Sequence, residues 1–309
     1  MLENLKHSHS RIAWLANLNN ATSYLEIGVQ SGFTFFSVDL PLKVAVDPYF
    51  KFNPLDRKKD GEYFFQMSSD DFFGGLAGNS PVVQELYAKN KLEFDIIFID
   101  GLHTYKQSYK DFINSLAYSH EKTLFIIDDT IPCDIYSAIN NQEKSLSERR
   151  RACMYGTPWH GDVYKTIFTI HDYHPDISYC TILNAGNPQT ILWKTKKERS
   201  QKKFKSIDDI NNMSFYDMIS NARLLMPTSI EELPKHIFNY LDPDQDANIA
   251  IFEKSIWINS LPYINNTIYN INKSCEVRIQ AIMNSCSWKI TKPLRFLRHA
   301  LTKISSKTL

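Results

Sequence analysis

The chain has 309 residues, of which 43% are hydrophobic and 22% are charged, and its formal net charge at pH 7 is +1. This is the composition of a globular protein with one large domain or one domain plus appendages. So balanced a charge argues against nucleic acid as a partner. The five cysteines are scattered without a CxxC pair, which argues against a disulfide framework and a zinc site. Because the first residues are polar and no apolar run reaches about 18 residues, we expect a cytoplasmic protein.

Predicted strands and helices alternate along the first 128 residues. The strands are predicted at 24–28, 42–47, 62–67, 94–100 and 123–128, and the helices at 9–20, 33–40, 81–90 and 105–119. The strands at 94–100 and 123–128 are apolar almost throughout, which is typical of strands buried on both faces of a parallel sheet. The alternation predicts an α/β fold with an open, doubly wound, mostly parallel sheet.

After residue 128 the sequence pattern changes twice, first at a basic linker and then at a helical extension. A helix predicted at 163–174 precedes two strands at 177–183 and 190–194, which we expect to form an antiparallel edge hairpin. The sequence then becomes basic and polar. We therefore predict a main domain at 1–195, a basic linker at 196–205 and an extension at 206–309. Apolar residues between 264 and 286 recur at spacings of three and four, which predicts that the extension is helical.

A glycine-bearing turn follows the first predicted strand, in the sequence Glu26-Ile-Gly28-Val-Gln-Ser-Gly32. Glycine allows a sharp turn and a close approach of the backbone to a ligand. The GxxxG spacing differs from the GxGxxG pattern that accommodates a pyrophosphate. The preceding acid suits a ligand that carries a positive charge. We therefore predict that Glu26, Gly28 and Gly32 bind a cofactor; the alternative is a tight turn without a ligand.

Two further polar positions follow the second and third predicted strands. Asp47 lies 21 residues after Glu26, where an acid can accept hydrogen bonds from both hydroxyls of a ribose. It could instead be a turn residue before Pro48. Ser68, in the sequence Met67-Ser-Ser-Asp-Asp, could contact an adenine edge together with its neighbours, or it could cap a helix.

Three segments, taken together, resemble class I S-adenosylmethionine-dependent methyltransferases. They are Glu26-Ile-Gly-Val-x-x-Gly, the sequence FDIIFIDGLHTY at 94–105, and Ile127-Asp-Asp129. The chain looks most like the branch that includes the macrocin- and mycinamicin-type sugar O-methyltransferases, and the resemblance covers roughly residues 20–195. It implies a Rossmann-like domain, S-adenosylmethionine as cofactor and a sugar hydroxyl as acceptor. The cofactor-binding residues are then predicted to be Glu26, Gly28, Gly32, Asp47, Ser68 and Asp100.

The resemblance also assigns roles to the acids at the ends of the central strands. In the similar sugar O-methyltransferases, the acid of an Asp-x-x-His unit is a metal ligand and its histidine is the base; these positions correspond to Asp100 and His103. The acidic pair corresponds to Asp128 and Asp129. The implied metal is a divalent cation such as Mg²⁺, held by Asp100, Asp128 and Asp129. The alternatives are that Asp100 caps a turn, that His103 is a surface loop residue and that Asp128 orients the acceptor.

Two basic segments complete the sequence-based picture. Arg149-Arg-Arg151 lies in a long insert at 131–162. These arginines could hold the phosphates of a nucleotide- or lipid-linked sugar, or they could form a solvated helix face. Residues 284–295 resemble a tail found on bacterial enzymes of surface-polysaccharide assembly. Their tryptophan and their basic and apolar residues suit an anionic membrane surface. They could equally pack on their own domain or on a second copy.

The sequence thus predicts a cytoplasmic O-methyltransferase that acts on a sugar hydroxyl in glycan or natural-product biosynthesis. It also predicts peripheral association with the inner face of a membrane and a homo-oligomer. The rival hypotheses are an NAD-dependent oxidoreductase and a non-catalytic, methyltransferase-like scaffold protein of a glycan-assembly complex.

Overall fold

The computed structural model describes residues 5–239, except for 58, 76–82, 85–87, 89–91, 185, 197–198 and 200–201. The helix predicted at 264–286 and the basic tail at 284–295 lie outside the described residues, as does most of the helix predicted at 81–90. No helix in the described part of the chain combines the length and the apolar character that crossing a membrane requires.

Eight strands form one sheet in the order β3-β2-β1-β4-β5-β7-β6-β8. The strands are β1 (Ser23–Ile27), β2 (Leu42–Val46), β3 (Glu62–Phe65), β4 (Phe94–Ile99), β5 (Ser119–Ile127), β6 (Ile177–Ile182), β7 (Gln189–Lys194) and β8 (Pro227–Thr228). Strands β1 to β5 are parallel to one another, whereas β7 is antiparallel to both β5 and β6. This confirms the predicted doubly wound, mostly parallel sheet and its antiparallel edge hairpin.

The helices lie between these strands and after them. They are α1 (Ser8–Asn19), α2 (Phe33–Ser37), α3 (Ser69–Gly74), α4 (Tyr105–Leu116), α5 (Gln142–Arg151), α6 (Tyr164–Tyr173), α7 (Ile207–Asn211), α8 (Phe215–Ser220) and α9 (Leu233–Asn239). Helix α2 is three residues shorter than the predicted one. Its C-cap, Val38, is already extended, and Leu40 precedes Pro41, a position that disfavours helical backbone.

Strand β4 from Ile96 to Ile99 and the second half of β5 are apolar because both faces of the sheet are covered there. Successive residues of β4 alternate between two separate clusters of buried side chains: Ile97 and Ile99 belong to one, and Ile96 and Phe98 to the other. Strand side chains point to opposite faces with a period of two. Continuous rather than alternating hydrophobicity is therefore what a doubly covered sheet needs.

The described residues fall into two compact units. The first contains the described parts of Met1–Glu148 and Thr157–Ser260, and the second contains Arg149–Gly156. Strand β8 pairs with β6 at Thr181–Pro227 and Ile182–Thr228. Since β8 lies beyond the predicted linker, part of the predicted extension contributes to the same sheet. The division at 196–205 stays a prediction.

Candidate active site

A cavity of about 920 Å³ opens at the carboxyl ends of the parallel strands, the edge at which such sheets bind ligands. Its volume lies near the upper end of the range of about 300–1,000 Å³ that small-molecule sites occupy, so it has room for more than one small molecule. Eight of the nine predicted site residues line it: Glu26, Gly28, Asp47, Ser68, Asp100, His103, Asp128 and Asp129. The ninth, Gly32, is not among the described lining residues.

The two glycines of the first turn serve packing within the protein. Gly28 has a φ of +89°, and a Cβ atom there would overlap the main-chain oxygen of Asp100. Gly32 has a φ of +75°, and its Cβ would overlap the ring of Phe36. The sequence argument attributed Gly28 to a close approach of the ligand. The structure adds a second reason for glycine there, because the ends of β1 and β4 come together; the approach of a ligand stays a prediction.

Asp47 holds the glycine-bearing turn in place. Its Oδ2 atom accepts hydrogen bonds from the main-chain N–H groups of Val29 and Gln30, both at 2.8 Å, and its Oδ1 accepts one from Tyr49 at 2.7 Å. A carboxylate has about four lone-pair positions, so Oδ1 retains capacity for a ligand. Asp47 therefore combines a structural role with the predicted position beside a ribose.

Glu26 lies at the floor of the cavity and is only 1% exposed. The hydroxyl of Tyr24 donates a hydrogen bond to its Oε2 atom at 2.6 Å. Burial raises the pKa of Glu26 well above its usual value, and the charges of Asp100 and Asp47 raise it further, whereas Tyr24 and Lys43 act in the opposite direction. A positively charged ligand beside this carboxyl would favour its ionised form.

Ser68 caps helix α3, as the alternative hypothesis proposed. Its hydroxyl accepts a hydrogen bond from the main-chain N–H of Asp71 at 3.1 Å and donates one to the Asp71 carboxylate at 2.6 Å. Nearby, the amide nitrogen of Gln107 donates to Asp111 at 2.9 Å and to Asp70 at 3.2 Å. Burial raises the pKa of Asp111 to about 6. The sequence argument missed Gln107 and Asp111, which also line the cavity; their four-residue spacing on helix α4 was the available signal.

His103 sits between the two acids that the sequence placed beside it. Its Nδ1 is 2.8 Å from the Oδ2 of Asp129 and 2.9 Å from the main-chain oxygen of Trp159, and its Nε2 is 3.6 Å from the Oδ1 of Asp100. Because both close acceptors face Nδ1, the neutral imidazole carries its proton there and leaves the lone pair of Nε2 available.

The protonation of His103 depends on the acids beside it, and that of Asp100 depends on His103. Burial lowers the pKa of His103, but the close contacts with Asp100 and Asp129 and their charges outweigh it and raise the pKa to about 11. Burial raises the pKa of Asp100 to about 6, against the effect of its contact with His103. An imidazolium cannot accept a proton, so a role as general base requires that His103 first lose one.

Asp128 is held by a residue from the β6–β7 turn. The Nδ2 atom of Asn187 donates to the Oδ1 atoms of both Asp128, at 2.6 Å, and Asp129, at 2.8 Å. Among the described residues, the group whose ligand atoms lie within 4.8 Å of one another is Asp100, His103 and Asp129. Asp128 is outside this group. Carboxylate and imidazole donors fit a divalent cation, with two of the three predicted ligands in place.

Besides the contact between the Trp159 oxygen and His103 Nδ1, the segment from Trp159 to Asp162 contacts the His103 loop at three further points. The indole ring stacks on the imidazole with centroids 5.0 Å apart. Gly161 has a φ of +61°, and a Cβ atom there would overlap the main-chain oxygen of His103. The Oδ1 of Asp162 accepts a hydrogen bond from the N–H of Tyr105 at 2.8 Å. The structure thus makes this segment a support of the His103 loop.

The arginines of the insert belong to the second compact unit. There, Arg149 donates hydrogen bonds to the main-chain oxygens of Tyr155, at 3.0 Å, and Gly156, at 3.4 Å. The proposed phosphate-binding role of Arg149-Arg-Arg151 stays a prediction.

Residues 25–130, about a third of the chain, match the family model of a methyltransferase domain. None of the curated proteins matches the chain. Similar solved structures include an O-methyltransferase from Bacillus cereus in complex with SAH, which is 15% identical. The match covers 63% of this chain and 84% of that chain with a TM-score of 0.42.

Two further similar structures are the O-methyltransferase TomG from Streptomyces achromogenes in complex with SAM and the SAH-bound methyltransferase PaMTH1 from Podospora anserina. TomG is 15% identical, with 62% of this chain and 82% of that chain covered and a TM-score of 0.40. PaMTH1 is 15% identical, with 60% and 77% covered and a TM-score of 0.40. The family match confirms the predicted enzyme class, a methyltransferase, at the level of the matched domain.

Proposed function

We propose that this chain is an S-adenosylmethionine-dependent O-methyltransferase that acts on a sugar hydroxyl in glycan or natural-product biosynthesis. The observation that carries the proposal is the pair of Asp129 and His103 in the cavity next to the family-matched glycine turn. Asp129 fixes Nδ1 at 2.8 Å, and the remaining nitrogen, Nε2, is the one that a hydroxyl group would meet.

The proposed cofactor site comprises Glu26, Gly28, Asp47 and Ser68, which we call the cofactor side of the cavity. Glu26 would bind the positively charged end of the cofactor, and Asp47 would accept hydrogen bonds from its ribose. The burial of Glu26 and Asp47 and their position at the ends of β1 and β2 support this assignment. When bound, the cofactor supplies an electrophilic methyl group on a positively charged sulfur.

The proposed acceptor side comprises Asp100, His103, Asp128, Asp129, Trp159, His160 and Asn187. With such a cofactor bound, the acceptor hydroxyl would take its methyl group as the bond from that carbon to sulfur breaks, and Nε2 of His103 would receive the hydroxyl proton. Removing the proton as the bond forms is what makes an alcohol sufficiently nucleophilic. Asp129 and Trp159 keep the imidazole in the required tautomer.

We also propose that a divalent cation such as Mg²⁺ binds at Asp100 and Asp129. The compact grouping of their oxygens supports this. Asp128 would act through Asn187, which contacts both Asp128 and Asp129. When bound, such a cation lowers the pKa of a hydroxyl group that it coordinates.

The test is a thermal-shift measurement on the full chain with S-adenosylhomocysteine (SAH) and, separately, with NAD. We expect SAH to raise the melting temperature and NAD to leave it unchanged; stabilisation by NAD alone would support the oxidoreductase instead. Transfer of a labelled methyl group to a glycoside then separates an enzyme from a scaffold protein. A chain that binds SAH but transfers no methyl group to any glycoside would favour the scaffold.

For the location, we propose a cytoplasmic protein that associates with anionic membranes through residues 284–295. The basic and apolar composition of that segment supports the proposal. Co-sedimentation with phosphatidylglycerol vesicles should fall when Lys289, Lys292 and Arg295 are replaced by glutamate. Size-exclusion chromatography with light scattering tests the proposed homo-oligomer in the same samples.

A further inference from the structure

Helix α1 contains an arginine with no exposed surface. Arg11 is 0% exposed, whereas arginine is rarely fully buried in proteins unless it is paired. Burial lowers the pKa of Arg11 to about 10, and Asp128 acts in the opposite direction, so the guanidinium is charged at pH 7. Burying a charge costs free energy that an apolar side chain at the same position would avoid. The contacts of the guanidinium should therefore explain why an arginine is present.

The guanidinium of Arg11 contacts the turn between β6 and β7. Its Nη1 donates a hydrogen bond to the main-chain oxygen of Asn187 at 2.7 Å, and its Nη2 donates one to the main-chain oxygen of Lys6 at 3.4 Å. Its Nε has no hydrogen-bond partner among the described residues. The shorter of the two hydrogen bonds therefore joins helix α1 to a residue 176 positions away along the chain.

Two further contacts attach the same N-terminal segment to this turn. Gly186 has a φ of +77°, and a Cβ atom there would overlap the main-chain oxygen of Lys6. The side-chain nitrogen of Gln189 donates a hydrogen bond to the hydroxyl of Ser8 at 2.8 Å. The segment at 6–11 and the turn are thus in contact at three positions, so the path of this segment helps to determine where the turn lies.

The side chain of Asn187 in this turn lines the cavity of the candidate active site. Its Nδ2 donates to Asp128 at 2.6 Å and to Asp129 at 2.8 Å. Asp129 in turn is 2.8 Å from Nδ1 of His103. Direct contacts therefore lead from Arg11 through Asn187 and Asp129 to the proposed base. Side chains of a functional site keep their geometry only when the residues around them are themselves held in place.

We propose that Arg11 is a positioning residue of the acceptor side: it holds the main chain of the β6–β7 turn so that the side chain of Asn187 fixes Asp128 and Asp129. The proposal rests on the proposed methyl transfer. It adds to the site a segment at 6–11 that lies outside residues 25–130, the part that matches the methyltransferase domain. The alternative is that Arg11 only stabilises the fold.

Arg199 provides a matched control for that alternative. Its guanidinium also donates hydrogen bonds to main-chain oxygens, which belong to Ile170, His171, His174 and Ile177. It is not among the described residues that line the cavity. Arg11→Met and Arg199→Met each remove a guanidinium that binds the main chain and leave an unbranched side chain. A loss of stability should therefore appear in both variants, whereas a change at the active site should appear in Arg11→Met alone.

The first experiment observes the side-chain amide of Asn187 by NMR in the full chain, isotopically labelled at asparagine. Its signal is assigned by its absence from Asn187→Ala. In Arg11→Met we expect this signal to move towards the position of a water-exposed amide, while the signal of Asn184, which contacts Glu231 from the same turn, keeps its position. An unmoved Asn187 signal in Arg11→Met overturns the proposal, and so does an equal movement in Arg199→Met.

Because replacing a buried arginine can prevent folding, Arg11→Gln is a second variant for the same measurement. Glutamine is polar and therefore easier to accommodate beside the unpaired main-chain oxygens, but it is shorter than arginine and carries no charge. We expect the same movement of the Asn187 signal, and an unmoved signal in a folded Arg11→Gln variant overturns the proposal equally.

The second experiment measures methyl transfer to glycosides. We expect Arg11→Met to lower kcat by about tenfold, as the loss of supporting contacts does, and to leave the KM for S-adenosylmethionine unchanged. Arg11→Lys, which keeps a charged donor, should recover part of the loss. The double variant with Asn187→Ala should be no slower than Asn187→Ala alone, because Arg11 acts through Asn187. Effects that multiply in the double variant overturn the proposal.

Failure of the proposed function can be told apart from failure of this inference. The NMR comparison needs no acceptor, so it decides the role of Arg11 whether or not a glycoside is methylated. A chain that methylates no glycoside would contradict the proposed function, whereas an unmoved Asn187 signal would contradict only the role of Arg11.

Discussion

The four residues on the cofactor side of the cavity lie within a stretch of 43 residues. Each lies in a strand or after the end of one: Glu26, Gly28, Asp47 and Ser68. On the acceptor side, the groups around His103 come from the ends of β4 and β5, from the segment at 159–162 and from the β6–β7 turn at Asn187. One side is therefore assembled by neighbouring βα units. The other needs contacts between residues as much as 59 positions apart, as between Asp128 and Asn187.

This difference has a consequence for mutations. Changes on the cofactor side should act on stability and cofactor affinity together, since the same atoms form the turn and the binding site. Changes on the acceptor side should reduce turnover while cofactor affinity is retained. Three substitutions test this separation, and a fourth tests the charge of a buried acid in the cavity wall; they follow in order of decreasing expected effect.

His103→Ala should have the largest effect. It removes the proposed base, and general-base catalysis contributes about 10²–10⁴-fold to rate, so we expect turnover to fall by about 10³-fold. SAH affinity, measured by calorimetry, should stay within about twofold because the imidazole lies on the acceptor side. Retained turnover would remove His103 from the mechanism, and a large loss of SAH affinity would contradict the separation of the two sides.

Gly28→Ala should destabilise the whole domain. A Cβ atom there would overlap the main-chain oxygen of Asp100, and its φ of +89° is unfavourable for alanine. We expect a loss of about 3 kcal/mol in the free energy of unfolding, measured by urea denaturation, with weaker SAH binding. Gly74→Ala is the matched control, since no atom lies within 4 Å of its added Cβ. Equal stability of the two variants would contradict the packing role assigned to Gly28.

Asn187→Ala should act on turnover alone. It removes two hydrogen bonds to Asp128 and Asp129, and loss of such supporting contacts to site carboxylates costs about 10–100-fold. SAH affinity should not change. Asn184→Ala lies in the same turn but contacts Glu231 and Ile230, and we expect it to leave turnover unaffected. Equal effects of the two variants would mean that Asn187 acts only through the general stability of the turn.

Asp111→Asn should give the smallest effect, a gain in stability that depends on pH. Burial raises the pKa of Asp111 to about 6 in the folded protein, above its usual value of 3.8. A raised carboxyl pKa means that the group's contribution to stability is present below pH 3.8 and is lost as the pH rises through 6. The amide avoids this loss and can still accept the hydrogen bond from Gln107.

We therefore expect no difference in stability near pH 3.5 and a gain on the order of 1 kcal/mol at pH 8, seen as a rise in Tm of about 2–4 °C. A gain of the same size at both pH values would show that the charge of Asp111 is not the cause.

The parts of the fold and site that could be predicted are those encoded by neighbouring residues. The continuous apolar runs at 94–100 and 123–128 predicted doubly covered parallel strands, and β4 and β5 confirm them. The resemblance implied that Asp100 and His103 act together, and in the structure His103 Nε2 lies 3.6 Å from Asp100 Oδ1. Gly28 was correctly placed in a strand–helix turn, but no sequence pattern shows that the main chain of Asp100 lies against it.

What the sequence by itself determined is the order of strands and helices, the position of the acids at strand ends and the glycine turn, since each depends on local periodicity or spacing. Only the tertiary structure decided that Asn187 bridges Asp128 and Asp129, that Trp159 stacks on His103, and that His160 faces the same cavity. These contacts depend on how the insert and the β6–β7 hairpin return to the sheet edge. Such long-range packing is the sum of many side-chain fits, which no short segment of the sequence specifies.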